Sequence, residues 1–245
     1  MLIGGLATAA WIQNKTPNIP ARATRDVDLG VDRKGLGLTT QSNRIRPLLE
    51  TAGFDQLIGD EQFRFTRDTP DGEFLLDLMV APGASREEPP IVEDGLESIA
   101  APGLAYAIYR KPTILDLNFH GSGSSDRFRI PIAKLDAAFV MKAVLVAKGI
   151  RPKPDRRVTD TADALMLAAA CAVDEPSLKA LWDHKGRSDP KTAIRWVRES
   201  FGNERTAEAR RVQTFFEEEF NTSQGAEWAV AASALFCQRL EDAGT

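Results

Sequence analysis

Asp26 and Asp28 stand one residue apart in Arg25-Asp26-Val27-Asp28-Leu29-Gly30-Val31. Val27, Leu29 and Val31 are apolar, and this period-two alternation predicts a strand. Side chains at i and i+2 of a strand share a face, so the two carboxylates project together while the apolar residues turn to a core. Like charges this close repel each other unless a cation lies between them. An oxygen-only surrounding suits a hard divalent ion such as Mg2+. A solvated strand face carrying two acids is the other reading of this stretch taken alone.

Two further segments bear on it. Upstream, Leu2-Ile3 runs into Gly4-Gly5 and an Ala-rich, helix-like segment. Glycines at a strand-to-helix turn let backbone N–H groups approach a phosphate, and the helix N-terminus favours an anion. Downstream, Gly72-Glu73-Phe74-Leu75-Leu76-Asp77-Leu78-Met79-Val80 is an apolar strand with one acid in its middle. Burying a lone acid there is unfavourable, and it becomes tolerable if Asp77 faces the same metal as Asp26 and Asp28. Three carboxylates on neighbouring strands can hold two metals for in-line displacement at phosphorus.

In this order (Gly-Gly, Asp-x-Asp on a strand, a third Asp on a later strand) the chain resembles the DNA-polymerase-beta-type nucleotidyltransferases. Within them it is most similar to the minimal, AbiEii-like members. The pieces that carry the resemblance are Ile3-Gly4-Gly5-x-Ala7, Arg25-Asp26-Val27-Asp28-Leu29, Leu76-Asp77-Leu78, and Lys142 with the acids after it. They span roughly the first two-thirds of the chain. Two departures stand out. Leu6 sits where those proteins often have Ser or Thr, and the Asn14–Ala21 segment, with Pro17 and Pro20, lengthens the gap between Gly5 and Asp26. Similar proteins also carry a helix before the first strand, so Met1 is expected to be a late start or that element to be lost.

Composition narrows the classes. The 245-residue chain is long enough for one large domain or two small ones. Its net charge of -4 carries no global basic field for nucleic acid, so any such contact needs a local patch. Cys171 and Cys237 form no C-x-x-C pair and lie in Ala-rich, helix-like surroundings, as buried free thiols of a reducing compartment do. Two histidines, His120 and His184, are too few for a histidine-based metal cluster. No run is long and apolar enough to span a membrane and no signal peptide is visible, so a cytoplasmic protein is expected.

The expected architecture is α+β: a mixed sheet flanked by helices over residues 1–132, then a helical domain over 133–245. Thr39–Ala52 reads as an amphipathic helix capped by Gly53. Glu61–Asp68 and Glu73–Val80 read as a hairpin about a turn-forming Asp68–Gly72. Tyr106–Tyr109, Thr113–Phe119 and Arg127–Ile132 read as short strands. Asp116, in the second of these, competes with Asp77 for the place of third carboxylate. From Ala133 onward the period is helical, over Ala133–Lys148, a helix opened by Thr159, and Glu175–His184, Pro190–Ser200, Thr206–Phe220 and Gln224–Asp242. Trp182, Trp196 and Trp228 fall at core spacing in these helices.

Lys142 is the charge inside the apolar stretch of the first of these helices. A basic run follows (Lys148, Arg151, Lys153, Arg156, Arg157), then Asp160 and Asp163. The resemblance implies that Lys142 meets the nucleotide phosphates and that Asp160 or Asp163 orients it or joins the catalytic group. Read as residues alone, Asp160 is a helix cap and Lys142 a snorkelling lysine. Arg22 and Arg25 flank the acids, for surface ion pairs or for a triphosphate. The basic run is a nucleic-acid candidate or a solvated loop.

The expected activity, by resemblance, is Mg2+-dependent transfer of a nucleoside monophosphate from an NTP to an acceptor, with the nucleotide between sheet and helical domain. Asp26 and Asp28 would bind two Mg2+ ions, and Asp77 would bind the second ion and serve as base. Gly4 and Gly5 would make room for phosphates, and Lys142 would neutralise them. Related proteins resemble toxins of toxin–antitoxin pairs, some modifying tRNA ends, which points to RNA as acceptor and an antitoxin as partner. The rivals are the same chemistry on a small molecule or protein, a non-catalytic nucleotide- or partner-binding module on this fold, and an unrelated metal-dependent hydrolase.

Overall fold

The computed structural model of the chain describes residues 1–16, 26–32, 42–57, 63–70, 72–81, 99–121, 124–150 and 154–244. The chain divides into two compact units, Met1–Ala7 with Ala23–Ala133, and Thr8–Arg22 with Lys134–Thr245. The division falls inside the first helix, α1 (Gly4–Lys15).

The first unit is built on one mixed sheet. Its strands among the described residues are β1 (Leu2–Ile3), β2 (Asp26–Val31), β3 (Asp55–Gln56), β4 (Arg64–Thr69), β5 (Gly72–Val80), β6 (Ile99–Ala100), β7 (Thr113–Gly121) and β8 (Ser124–Ile132). They lie in the order β3-β4-β5-β2-β1-β8-β7, with β6 also paired to β5. β2 and β5 are parallel neighbours, with Asp28 opposite Asp77 and Leu29 opposite Leu78. β4 and β5 form the expected hairpin, with Thr69 opposite Gly72 and Arg64 opposite Asp77.

This register sorts the residues by face. Val27, Leu29 and Val31 turn to one side, where they pack with Phe65, Leu76 and Leu78 and with Leu49 and Phe54 at the end of α2 (Ser42–Thr51). The period of two then sends Asp26, Asp28, Asp77 and Arg64 to the opposite face. Gly53 ends the α2 turn with φ 78°, the left-handed conformation that glycine takes at a helix C-cap.

One expected strand is a helix. Residues Leu104–Arg110 form α3, entered from Gly103 at φ 78°. The run is short and apolar, and its Leu104, Tyr106 and Ala107 are all buried. A segment of that length has no periodicity long enough to separate strand from helix.

The second unit is helical. α4 (Leu135–Ala147) and α5 (Pro154–Ala172) are buried on nearly every side and pack on each other. Around them lie α6 (Glu175–His184), α7 (Ser188–Ser200), α8 (Ala207–Phe220) and α9 (Gly225–Asp242). α7 packs on α4, and α8 and α9 pack on α5. The rings of Phe139 and Phe236 meet at 5.1 Å between centroids, joining α4 to α9. Trp196 is buried against Phe201, as its spacing predicts. Trp182 is only partly covered and lies under the Lys185 ammonium, 2.9 Å from the ring centroid. No helix among the described residues is long and apolar enough to cross a membrane.

α5 begins at Pro154, five residues before the expected start at Thr159. Proline is compatible with a first helical position, where its missing N–H has no partner to lose. Arg156 and Arg157 are therefore helical and not part of a loop, and Asp160 is inside the helix and not its cap.

Candidate functional site

The acid face of the sheet is assembled by β2 and β5. Because these strands are parallel and in register, Asp28 and Asp77 are direct neighbours, with Asp26 two residues back on the same side. Asp26 and Asp28 are half-buried, and Asp77 is 8% exposed.

Each acid has its own surroundings. Asp28 lies against Gly4, the residue that opens α1 at φ 67°. A Cβ on Gly4 would fall 1.7 Å from Asp28 Oδ2 and 2.5 Å from its Cγ. The space that Gly4 leaves is thus filled by a carboxylate of the chain itself. An acid beside the first turn of a helix is favoured by the exposed N–H groups and by the helix dipole. Gly5 sits in the first turn of α1, half-buried. Leu6 follows in that turn.

Asp77 is held differently. Arg64 Nε donates to Oδ1 at 2.8 Å and Arg64 Nη2 donates to Oδ2 at 2.9 Å. This is the two-pronged geometry in which a guanidinium binds a carboxylate most strongly. The guanidinium also lies 5.8 Å from the centre of the Phe63 ring. Sequence reasoning missed Arg64, although a signal was present. Counting five residues back from Thr69 and five forward from Gly72 pairs Arg64 with Asp77 across the hairpin.

Asp116 is elsewhere. It lies on the edge strand β7, with β1 and β8 between it and β2, and it is exposed opposite Arg129 at 3.6 Å. Arg22, Arg25, Arg151 and Lys153 lie outside the described residues.

The second cluster belongs to the helical unit. Lys142 on α4 reaches two carboxylates of α5. Its Nζ donates to Asp160 Oδ1 at 2.7 Å and lies 3.0 Å from Asp163 Oδ2. The second contact is ionic and not an aligned hydrogen bond. Asp160 and Asp163 are 4% and 2% exposed. The two acids are three residues apart, on one face of a helix. Burial alone would lower the Lys142 pKa, but Asp163 and then Asp160 outweigh it and hold the pKa above the usual lysine value. Nearby, burial pushes the Cys171 thiol well above its ordinary value, with Asp136 and Asp174 adding to the effect. Cys171 is a buried free thiol, and Cys237 is a free thiol that is only partly covered.

The described members of the basic run, Lys148, Arg156 and Arg157, differ in their surroundings. Lys148 is exposed, 3.8 Å from Asp189. Arg156 is exposed, whereas Arg157 turns its Nε inward to a buried position with no hydrogen-bond partner among the described residues.

The acid face can be tested for a metal by its donor chemistry. Three carboxylates on one face of adjacent strands form an oxygen-only set, which suits Mg2+. Yet among the described residues no three metal-capable groups gather closely enough to hold an ion. An ion on this face would have to be carried by one or two carboxylates and completed by substrate phosphates and water, as Mg2+ commonly is. The chain matches no family model, no curated protein and no solved structure.

Proposed function

We propose that the chain is a Mg2+-dependent nucleotidyltransferase that moves a nucleoside monophosphate from an NTP to an acceptor. RNA, with tRNA ends foremost, is the favoured acceptor, and a toxin of a toxin–antitoxin pair is the favoured biological setting. The observation that carries the reading is the register of β2 and β5. It sets Asp28 beside Asp77 with Asp26 on the same face, next to the glycine turn that opens α1.

Asp26 and Asp28 would hold the ion, which when bound supplies charge stabilisation to the triphosphate. The transfer forms a bond between the acceptor oxygen and the α-phosphorus and breaks the bond from that phosphorus to the bridging oxygen, so pyrophosphate leaves. The acceptor's proton passes to a base or to water. Asp77 keeps lone pairs beyond those that face Arg64, since a carboxylate offers about four acceptor positions. Its side chain is thus oriented by Arg64 on the face that it shares with Asp26 and Asp28. A cytoplasmic location goes with this reading, because NTPs and free thiols coexist there.

A second reading, a nucleotide- or partner-binding module without catalysis, is favoured by one observation. Both oxygens of Asp77 are already engaged by Arg64.

The deciding experiment incubates the protein with each alpha-labelled NTP and Mg2+, offering total RNA or a protein extract as acceptor, beside Asp26→Ala/Asp28→Ala. Label transferred by the wild type and lost in the variant is the expected result, and the labelled species identifies the acceptor class. Binding of NTP without transfer would favour the module. A wild type that neither transfers label nor binds nucleotide would overturn the proposal.

A further inference from the structure

We propose that the outer edge of β7 is a dimer interface, on which two copies of the chain pair antiparallel about a two-fold axis at Leu117. The inference does not depend on the nucleotidyltransferase reading.

β7 ends the sheet order, and among the described residues no strand lies beyond it. β1 meets β8 only at Ile132, so among the described strands Ser124–Pro131 is laddered to β7 alone. A two-stranded ribbon is marginal in water, and further strands sharing an apolar face stabilise it. Pairing two such ribbons through β7 supplies those strands.

The ladder shows which backbone groups turn outward. Ala133, the residue after β8, donates its N–H to Leu2 O at 3.0 Å. Backbone groups alternate in direction along a strand, so those of Ile132 point the other way, to Thr113 of β7. The same alternation turns the N–H and C=O groups of Ile114, Asp116, Asn118 and His120 to the outer edge of β7. The far edge of the ribbon, on β8, is built differently. There the outward positions include Arg127, Arg129 and Pro131, and proline has no N–H to give. Charged residues and proline are devices that discourage strand pairing. β7 carries no proline, lysine or arginine between Thr113 and Gly121.

The sequence of β7 is self-complementary in this register. With Leu117 on the axis, position 114 meets 120 and position 116 meets 118 of the second copy, so each outward N–H faces a carbonyl. Asp116 falls opposite Asn118 and not opposite a second Asp116, and Arg129 of its own chain lies 3.6 Å from its carboxylate. Moving the axis to position 116 would set the two acids against each other. Moving it to 118 would leave Thr113 and Ile114 beyond the ladder. On the other face, positions 115, 117 and 119 hold Leu, Leu and Phe. They share the parity of Leu115 and its ladder neighbour Ile130, both half-buried in one chain. The dimer thus continues an apolar strip across the axis.

Sedimentation equilibrium of the full chain over a concentration series tests this, and the wild type is expected to dimerise reversibly. Asn118→Pro removes an outward N–H at both symmetric contacts while leaving the ladder to β8 in place, as proline does on edge strands. It should raise the dimer dissociation constant by more than about tenfold. Leu117→Cys sets two thiols at a non-hydrogen-bonded pair on the axis, with Cα atoms about 4.5 Å apart and within disulfide range. Oxidation should then give a covalent dimer. Leu115→Cys, which faces position 119, should not cross-link, and neither should the wild type with Cys171 and Cys237. A wild type that stays monomeric at every concentration would overturn the inference. So would a dimer that a folded Asn118→Pro leaves unchanged, or one that cross-links as readily through Leu115→Cys as through Leu117→Cys. If Asn118→Pro does not fold, the two cysteine variants decide.

Discussion

Arg64 and Asp77 face each other across the β4–β5 hairpin and are joined by two parallel hydrogen bonds of 2.8 Å and 2.9 Å. The pair lies on the same side of the sheet as Asp26 and Asp28, so the acid face carries its own cation. An acid that looks unfavourable in an apolar strand is thus compensated within the hairpin, whether or not an ion is bound.

The pair should show strong coupling in stability. Arg64→Met leaves Asp77 as a nearly buried, unpaired charge, and breaking such a pair from one side costs about 3 kcal/mol. Asp77→Asn leaves Arg64, whose side chain is 23% exposed and so better hydrated, and should cost less. The double variant is expected to lose less than the two single losses added together. Urea denaturation of all four proteins measures this, and strict additivity would show that the contact contributes nothing.

Gly4 should resist replacement. Gly4→Ala places a Cβ 1.7 Å from Asp28 Oδ2 and holds alanine at φ 67°. Strained positions of this kind cost about 1–3 kcal/mol. Adding Asp28→Ala removes the collision but not the backbone strain, so it should restore part of the loss. Urea midpoints of the two variants separate the contributions. A Gly4→Ala protein as stable as wild type would mean that Asp28 does not lie over the turn.

Much of this face was legible from residue types and spacing, and the reasons are physical. Alternation in Asp26–Val31 specifies a strand because a single slip would expose Val27 and Leu29 and bury the acids. The β4–β5 hairpin was legible because Asp68–Gly72 is turn chemistry between two apolar runs. Arg64 was overlooked because its meaning lies in register, which no single residue displays. Tyr106–Tyr109 was misread as a strand because a run this short, inside the seven-residue helix Leu104–Arg110, does not fix a period. The start of α5 was hidden by prolines and arginines that resemble a loop, although proline at a first turn is ordinary. Nothing in spacing alone joins Lys142 to Asp160 and Asp163. Only the packing of α4 on α5 brings the ammonium within 3.0 Å of both.

That cluster yields a prediction with a definite sign in pH. Lys142 is held above its ordinary pKa in the folded protein, because Asp163 and Asp160 outweigh the opposing effect of burial. A raised folded pKa gives stability that is fully present below the unfolded value of about 10.4 and is lost as pH rises beyond it. Wild type should therefore keep this contribution across the neutral range and lose it only in strong alkali. Lys142→Met removes the cation and leaves Asp160 and Asp163 buried without it, at a cost of about 3–5 kcal/mol near neutrality. The variant should also lack the alkaline loss, so the two stability curves should converge as pH climbs. Lys142→Met/Asp160→Asn/Asp163→Asn, with no charge left to bury, should recover most of the deficit. Urea midpoints from pH 6 to 11 in fixed ionic strength measure all three proteins. A Lys142→Met protein of wild-type stability at pH 7 would mean that the ammonium does not hold α4 to α5.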